Sequence, residues 1–252
     1  MPKFFVPRGD ITGNSVIIKG EDANHIKNVL RFSPGDALTL CDGEGFDYTG
    51  KIDSASKDGV CVRILSKEPS ASEPETRITL FQGLPKGDKA EIVIQKAVEL
   101  GVYEVVLVET KRSVARLKPE KEAAKLERFA KLSYSAAKQS GRGIIPKVSV
   151  MSYDDAVKKA GESDLAFIAY EKEVKTGLKD VLKGFLGGSV AVFIGPEGGF
   201  EADEVARMRE AGFEEDEIKK AAAFKTVSLG KRILRTETAG SAVIAVINYE
   251  LG

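Results

Sequence analysis

The sequence predicts an α/β protein: a small N-terminal β-barrel or curled sheet, followed by a larger domain whose parallel sheet is covered by helices on both faces. Three observations predict it. The runs KFFVP, SVIIKG, ALTLCD, FDYTGKID and VCVRIL lie between residues 3 and 65 and are separated by Gly- and Asp-rich turns, as short strands are. After residue 76 near-continuous apolar strands alternate with amphipathic helices, the pattern of a parallel sheet buried on both sides. Between the two regions KEPSASEPET, residues 67–76, has two prolines and no hydrophobic period, which marks a boundary. The expected domains are therefore 1–68 and 76–252.

Each element follows from its spacing. Within the first domain EDANHIKNVLRF breaks the strand pattern, because Ile26, Val29 and Leu30 fall at helical intervals after a cap at Asp22; His25, Lys27 and Arg31 flank that stripe. In the second, RITLFQGL reads as a strand. DKAEIVIQKAVELG reads as a helix burying Ala90, Val93, Ile94 and Ala97, opened by a capping-box-like Asp88 and Glu91, with Lys89 and Lys96 at its margins. EVVLVET, DLAFIAY, SVAVFIG and TVSLG are further strands; helices are expected around KLERFAKLSYSAAKQ, from about Glu201, and over the last residues, where Ala239, Ala242, Val243, Val246 and Ile247 form one stripe.

Composition narrows the chemistry. At 252 residues, 42% hydrophobic and 30% charged, the chain has material for a large core. No apolar run approaches the roughly 20 residues of a membrane span, and MPKFFVPRGD does not resemble a signal peptide, so a cytoplasmic location and no membrane partner are expected. Cys41 and Cys61 lack metal-ligand spacing and read as small buried hydrophobes. A single histidine, His25, leaves no material for a histidine metal site or a Ser-His-Asp triad, so no metal is expected and His25 is read as a packing residue. Net charge is zero, but residues 111–147 hold 11 Lys and Arg against three acids, while 148–227 hold 11 against 16. The first imbalance fits either a solvated helix or a phosphate backbone, and its length favours the phosphate.

Ligands of open parallel sheets sit at the carboxyl ends of strands, which directs attention to two loops. In FIGPEGGFEADE, Gly195 ends a strand, Pro196 stiffens the turn, and Gly198 and Gly199 allow close backbone approach; the alternative is a tight connection and nothing more. Glu201, Asp203 and Glu204 complement the dipole of the next helix and would repel a phosphate there, favouring a zwitterionic or cationic ligand. In GKRILRTETA, Thr236 or Thr238 is placed to cap the last helix and Glu237 to favour its dipole. Ile233 and Leu234 between two arginines are expected to line a pocket or an interface, since exposing each costs about 1.5–3 kcal/mol.

With HIKNVLRFSPGD, KAEIVIQKAVELGV, ERFAKLSYSAAKQSGR, FIGPEGGFEADE and VSLGKRILRTETA in this order, the chain resembles the ribosomal RNA small subunit methyltransferase E family, the 16S rRNA uracil-N3 methyltransferases of the SPOUT superfamily. The resemblance covers nearly the whole chain. It implies a PUA-like RNA-binding β-barrel, a SPOUT α/β domain with a C-terminal deep trefoil knot, S-adenosylmethionine as methyl donor without a metal, a homodimer, and 16S rRNA of the small ribosomal subunit as partner. On this chain the donor pocket maps to Tyr170, Gly195, Pro196, Gly198, Gly199, Ser228, Leu229, Gly230, Ile233 and Leu234. Two departures stand out: residues 213–226 are longer than the family pattern, and Ser135 and Lys138 replace acids.

The implied reaction assigns further roles. Uridine N3 carries a proton on the Watson–Crick edge, so the base must be unpaired and the proton must leave. Arg235 is the candidate to stabilise charge on O2 and O4, with a phosphate or dimer contact as the alternative. Glu237 is a candidate general base, or a dipole-complementing acid only, and Glu197 has a similar claim. Arg8 and Arg31 in the first domain, with Lys86, Lys96, Arg112, Arg116, Gln139 and Arg142 beyond it, are the expected RNA contacts, mostly to phosphates. Two alternatives are a non-catalytic RNA-binding assembly factor and a SPOUT enzyme acting on another RNA.

Overall fold

Alternation of buried and exposed side chains builds the N-terminal sheet. Its strands are β1 (Lys3–Phe5), β2 (Ser15–Ile18), β3 (Ala37–Cys41), β4 (Phe46–Ala55) and β5 (Val60–Pro69), in the order β1-β3-β4-β5-β2. The coordinates are a computed structural model that describes residues 3–116, 119–211 and 224–251. Residues 212–223, most of the segment that the sequence sets apart at 213–226, lie outside that description. Strand β1 pairs with β3 in parallel and the remaining pairs are antiparallel. Every second residue points inward, so Phe4, Val16, Ile18, Leu38, Leu40, Tyr48, Ile52, Val60 and Val62 pack with Ile26 into one core. Among the described residues the edge strands β1 and β2 do not pair with each other, so the sheet is curled. Register shifts between Thr49 and Gly50 and between Ile52 and Ser54 add to its twist.

The helix expected from Asp22 begins earlier and changes character. Helix α1 (Gly20–Asn24) runs into a π turn over His25–Val29, and Arg31 then adopts φ 57°, ending the segment. Asp22 is not a cap: its carboxylate takes a hydrogen bond from Lys138 Nζ at 2.6 Å. His25 is exposed, its ring edge-on to Phe4 at 6.1 Å. Cys41 is fully buried, with its thiol pushed up to about 12 by burial, whereas Cys61 is only half-buried, contrary to the expectation that both are core residues.

The described chain forms two compact units, and the first reaches past the linker: it comprises residues 1–73 together with 137–145. The boundary at 67–76 holds no signal for that return, because long-range hydrogen bonds create it. Gly45 N donates to Gly143 O, Ile145 N to Gly43 O, and the Glu73 carboxylate accepts from Gly143 N at 2.6 Å and Ile144 N at 3.1 Å. Gln139 and Arg142, read from sequence as second-domain residues, therefore belong to the first unit.

The second unit, residues 74–136 and 146–252, is the expected α/β body. Its strands β6 (Arg77–Gly83), β7 (Glu104–Glu109), β8 (Lys147–Ser152), β9 (Leu165–Ala169), β10 (Ser189–Ile194) and β11 (Lys225–Val227) make a wholly parallel sheet in the order β11-β9-β10-β6-β7-β8. The intervening helices are α2 (Lys89–Glu99), α3 (Pro119–Gln139), α4 (Tyr153–Ala160), α5 (Leu178–Leu182), α6 (Ala202–Ala211) and α7 (Thr236–Leu251). Helix α2 buries Ala90, Val93, Ile94 and Ala97 as its period predicts, but Asp88 makes no side-chain cap hydrogen bond, so the capping box is absent. Phe81 stacks on Phe193 at 4.5 Å between neighbouring strands β6 and β10, within a core that includes Tyr153, Phe200 and Phe224. No helix among the described residues is long and apolar enough to cross a membrane.

Candidate active site

Sheet order reverses around β9, β10 and β6, and the loops leaving β9, β10 and β11 converge there on a pocket of about 550 Å³. All ten residues expected at the donor line it: Tyr170 from the first loop; Gly195, Pro196, Gly198 and Gly199 from the second; Ser228, Leu229, Gly230, Ile233 and Leu234 from the third. Its size falls within the roughly 300–1,000 Å³ of small-molecule sites. Leu234 is half-buried while Ile233, on the same wall, is 91% exposed. Hydrogen bonds hold the loops to one another: Tyr170 N donates to Val227 O at 3.0 Å and Ser228 N to Thr176 O at 2.8 Å.

Beneath the pocket lies a buried polar hub that the sequence reading missed. Gln82, at the end of β6 and 0% exposed, donates through Nε2 to the Thr236 hydroxyl at 2.7 Å, and that hydroxyl donates to Gly195 O at 2.6 Å. Thr236 is thus not a side-chain cap. The Arg235 carbonyl receives the first helical hydrogen bonds, from Thr238 N and Ala239 N, so neither threonine closes the helix end. The hub requires close backbone contact: a Cβ on Gly83 would lie 2.4 Å from Pro196 Cδ, and one on Gly195 would lie 2.9 Å from Gly199 Cα. One signal was available, since a glutamine inside RITLFQGL is a polar residue in a buried strand and needs a partner.

The charged residues divide into held and free. Lys89 lies at the pocket margin with Nζ 3.0 Å from Glu197 Oε1 and 3.8 Å from Glu237 Oε2. Burial alone would raise the Glu197 carboxyl, but its own backbone N–H, Lys89 and the Lys86 N–H hold it below the usual carboxylate range. An anion so held is a weak base. Glu237 is not among the residues lining the pocket; it backs Lys89. Arg235 lines the pocket, is exposed, and makes no side-chain ion pair among the described residues.

The acids after GPEGG are paired, which removes the sequence argument that they repel a phosphate. Arg112 Nε donates to Glu201 at 2.7 Å, Lys111 Nζ pairs with Asp203, and the fully buried Glu204 accepts from Lys111 N and Glu201 N, both at 2.9 Å. Arg112 lowers the Glu201 carboxyl and Lys111 that of Asp203. Lys111 and Arg112 come from the loop after β7, some 90 residues upstream, where no local pattern announces them.

The expected RNA contacts fare unequally. Arg8, Arg31, Lys86, Lys96, Arg116 and Gln139 are exposed; Arg8 lies 3.6 Å from the equally exposed Glu44, and Lys96 pairs with Glu99. Arg142 is 3% exposed and ion-paired with Glu73, so its guanidinium is a structural strut rather than a phosphate ligand. Arg112 is engaged by Glu201 and the Gly198 carbonyl. Among the described residues no group of three or more His, Cys, Asp or Glu is placed to hold a metal ion.

Comparison with known proteins bears on this site. The RNA methyltransferase domain family matches residues 72–248, and the RNA methyltransferase PUA domain family matches residues 18–65. The ribosomal RNA small subunit methyltransferase E of Bacillus subtilis (strain 168) is 34% identical over 92% of this chain and 89% of the relative. That of Mycobacterium bovis is 30% identical over 97% and 90%. The crystal structure of the Neisseria gonorrhoeae enzyme bound to S-adenosyl methionine superposes with a TM-score of 0.78 at 32% identity, covering 99% of this chain and 97% of that one. A two-part chain that carries GPEGG and ILRT at its converging loops, and that matches these relatives over most of its length, belongs to the ribosomal RNA small subunit methyltransferase E family.

Proposed function

We propose that the protein transfers a methyl group from S-adenosylmethionine to N3 of a specific uridine in 16S rRNA of the small ribosomal subunit. The observation that carries this reading is the convergence of three loops on one glycine-lined pocket with an unpaired arginine at its edge. The pocket fits the donor: with no side chains, the glycines at 195, 198, 199 and 230 let a ligand approach the backbone closely, and Leu229, Ile233, Leu234 and Ala239 offer apolar surface to an adenosyl group. Bound S-adenosylmethionine would supply an electrophilic methyl group. Tyr170, Gly195, Pro196, Gly198, Gly199, Ser228, Leu229, Gly230, Ile233 and Leu234 hold the donor.

Arg235 faces the uracil, where its guanidinium stabilises charge on O2 and O4 once the N3 proton has left for solvent. Glu197 and Glu237 act through Lys89, keeping that cation at the pocket margin. Residues 1–68 bind RNA with Arg8 and Arg31, while 76–252 carry catalysis with Lys86, Lys96 and Arg116 toward the phosphates; Gln139 adds a neutral contact. The site works in the cytoplasm as part of a homodimer, a state supported by exposed Val246 and Tyr249 on α7. We further propose that the C-terminal region threads as a trefoil knot where the loops leaving β9, β10 and β11 converge on the pocket.

Calorimetric titration with S-adenosylmethionine tests the reading; a wild-type protein that does not bind would sink it. Labelled donor offered with naked 16S rRNA or with assembled 30S particles, followed by mapping of the modified nucleotide, tests the substrate. Arg235→Ala is expected to slow methylation while donor binding survives, and unchanged turnover would remove Arg235 from the reaction.

A further inference from the structure

The turn Pro196–Gly199 is closed by Gly199 N donating to Pro196 O at 2.9 Å. The peptide unit between Gly198 and Gly199 therefore has its N–H fixed, while its other polar end, the Gly198 carbonyl, accepts from Arg112 Nη1 at 2.7 Å. Flanked by two glycines, this unit has no side chain to resist a flip of its plane. Arg112 is itself aimed, because Nε donates to Glu201 at 2.7 Å and its stem lies across Gly198, where an added Cβ would be 3.3 Å from Arg112 Cβ. The planar guanidinium thus spans the carbonyl and the carboxylate with separate nitrogens, a geometry that lysine does not reproduce. The backbone beside it is anchored as well, through Lys111 N to buried Glu204.

We infer that Arg112 is a positioning residue for the donor pocket: by fixing the Gly198–Gly199 peptide plane it sets the shape of one wall before ligand arrives. The inference rests on the reading of this pocket as the donor site, and it removes Arg112 from the set of phosphate contacts. Its consequence is a division between two affinities. Without the guanidinium the plane keeps only the Gly199 N–H bond to Pro196 O, so its carbonyl end must be ordered on binding, and donor affinity falls while RNA affinity does not.

The test compares wild type, R112A, R112K and E201Q by S-adenosylmethionine calorimetry, by 16S rRNA binding across a salt series, and by turnover at saturating donor. R112A is expected to raise the donor Kd about tenfold, roughly the cost of ordering one peptide unit, and to leave saturated turnover and the salt slope of RNA binding unchanged. R112K should show an intermediate loss, and E201Q, which keeps the Gly198 contact but loosens the aim, a smaller one. A donor Kd unchanged in R112A overturns the inference, as does a salt slope reduced by about one with donor binding intact, the signature of a lost phosphate contact. Should R112A not fold, R112K decides in the same terms. A wild-type protein that binds no donor overturns the pocket reading and this inference with it, whereas wild-type binding matched by R112A overturns this inference alone.

Discussion

Replacing Thr236 by valine removes one hydroxyl and almost no volume, which makes it a clean probe of the hub under the pocket. The side chain is 6% exposed, accepts from Gln82 Nε2 at 2.7 Å and donates to Gly195 O at 2.6 Å. Two neutral hydrogen bonds at about 0.5–1.5 kcal/mol each give a loss of about 1–3 kcal/mol. The loss should not reach the upper end, because Gln82 Nε2 still has Gly83 O at 3.1 Å, and Gly195 O keeps Gln82 Nε2 at 3.3 Å. Urea unfolding monitored by circular dichroism should show a lower midpoint with an unchanged slope. Donor affinity should weaken by up to about tenfold, since roughly 1.4 kcal/mol of the same coupling is a factor of ten. Thr236→Ser is the control: it keeps the hydroxyl and loses one methyl, worth about 0.8 kcal/mol. If valine matches wild type within about 0.5 kcal/mol, or if serine weakens donor binding as much as valine, the hydroxyl is not what couples α7 to the GPEGG loop.

Glu73→Ala should destabilise the first unit by about 3–5 kcal/mol, because it leaves the buried Arg142 guanidinium without its carboxylate; urea unfolding measures it, and pairing the change with Arg142→Met should recover part of the loss. Acid should loosen the loop after β9. The Glu173 carboxyl is held at about 2, first by the Thr226 hydroxyl and then by the Lys175 and Thr176 N–H groups, so its folded value lies below its unfolded one. The stability it contributes is present above about pH 4.3, the ordinary glutamate value, and is lost as pH falls toward about 2. Thermal melts from pH 6 to pH 2 should therefore show wild type and Glu173→Gln converging at the acid end.

The elements with strong local signals were readable: five apolar strands of the second unit, the α2 stripe, and the turn-bounded short strands of the first sheet. Strand β8 was missed because it is an edge strand whose KVSVMS residues are partly exposed on both faces, giving neither a buried run nor a clear alternation. Helix α4 had a signal that went unused. Ser152 caps it by accepting from Asp155 N, and Tyr153, Ala156, Val157 and Ala160 bury one face. At the site, backbone-shaping residues were legible because glycine and proline announce local geometry. Pairings across the chain were not: Arg112 and Arg142 look alike in sequence, and only the fold shows that each is claimed by a carboxylate, Glu201 for one and Glu73 for the other.

The return of residues 137–145 to the first unit has a consequence for synthesis. A chain emerging from the ribosome exposes the five-stranded sheet early, yet that unit stays unfinished until about twice as much chain has been made, because Glu73 finds Arg142, Gly143 and Ile144 only then. Until that moment Gly43 and Gly45 lack their partners in the later segment. An excised fragment ending at residue 73 would hold the same half-built state indefinitely. The N-terminal module should therefore be obtained whole only by grafting 137–145 back onto it, and limited proteolysis within 120–136 should release neither half in a form that refolds alone.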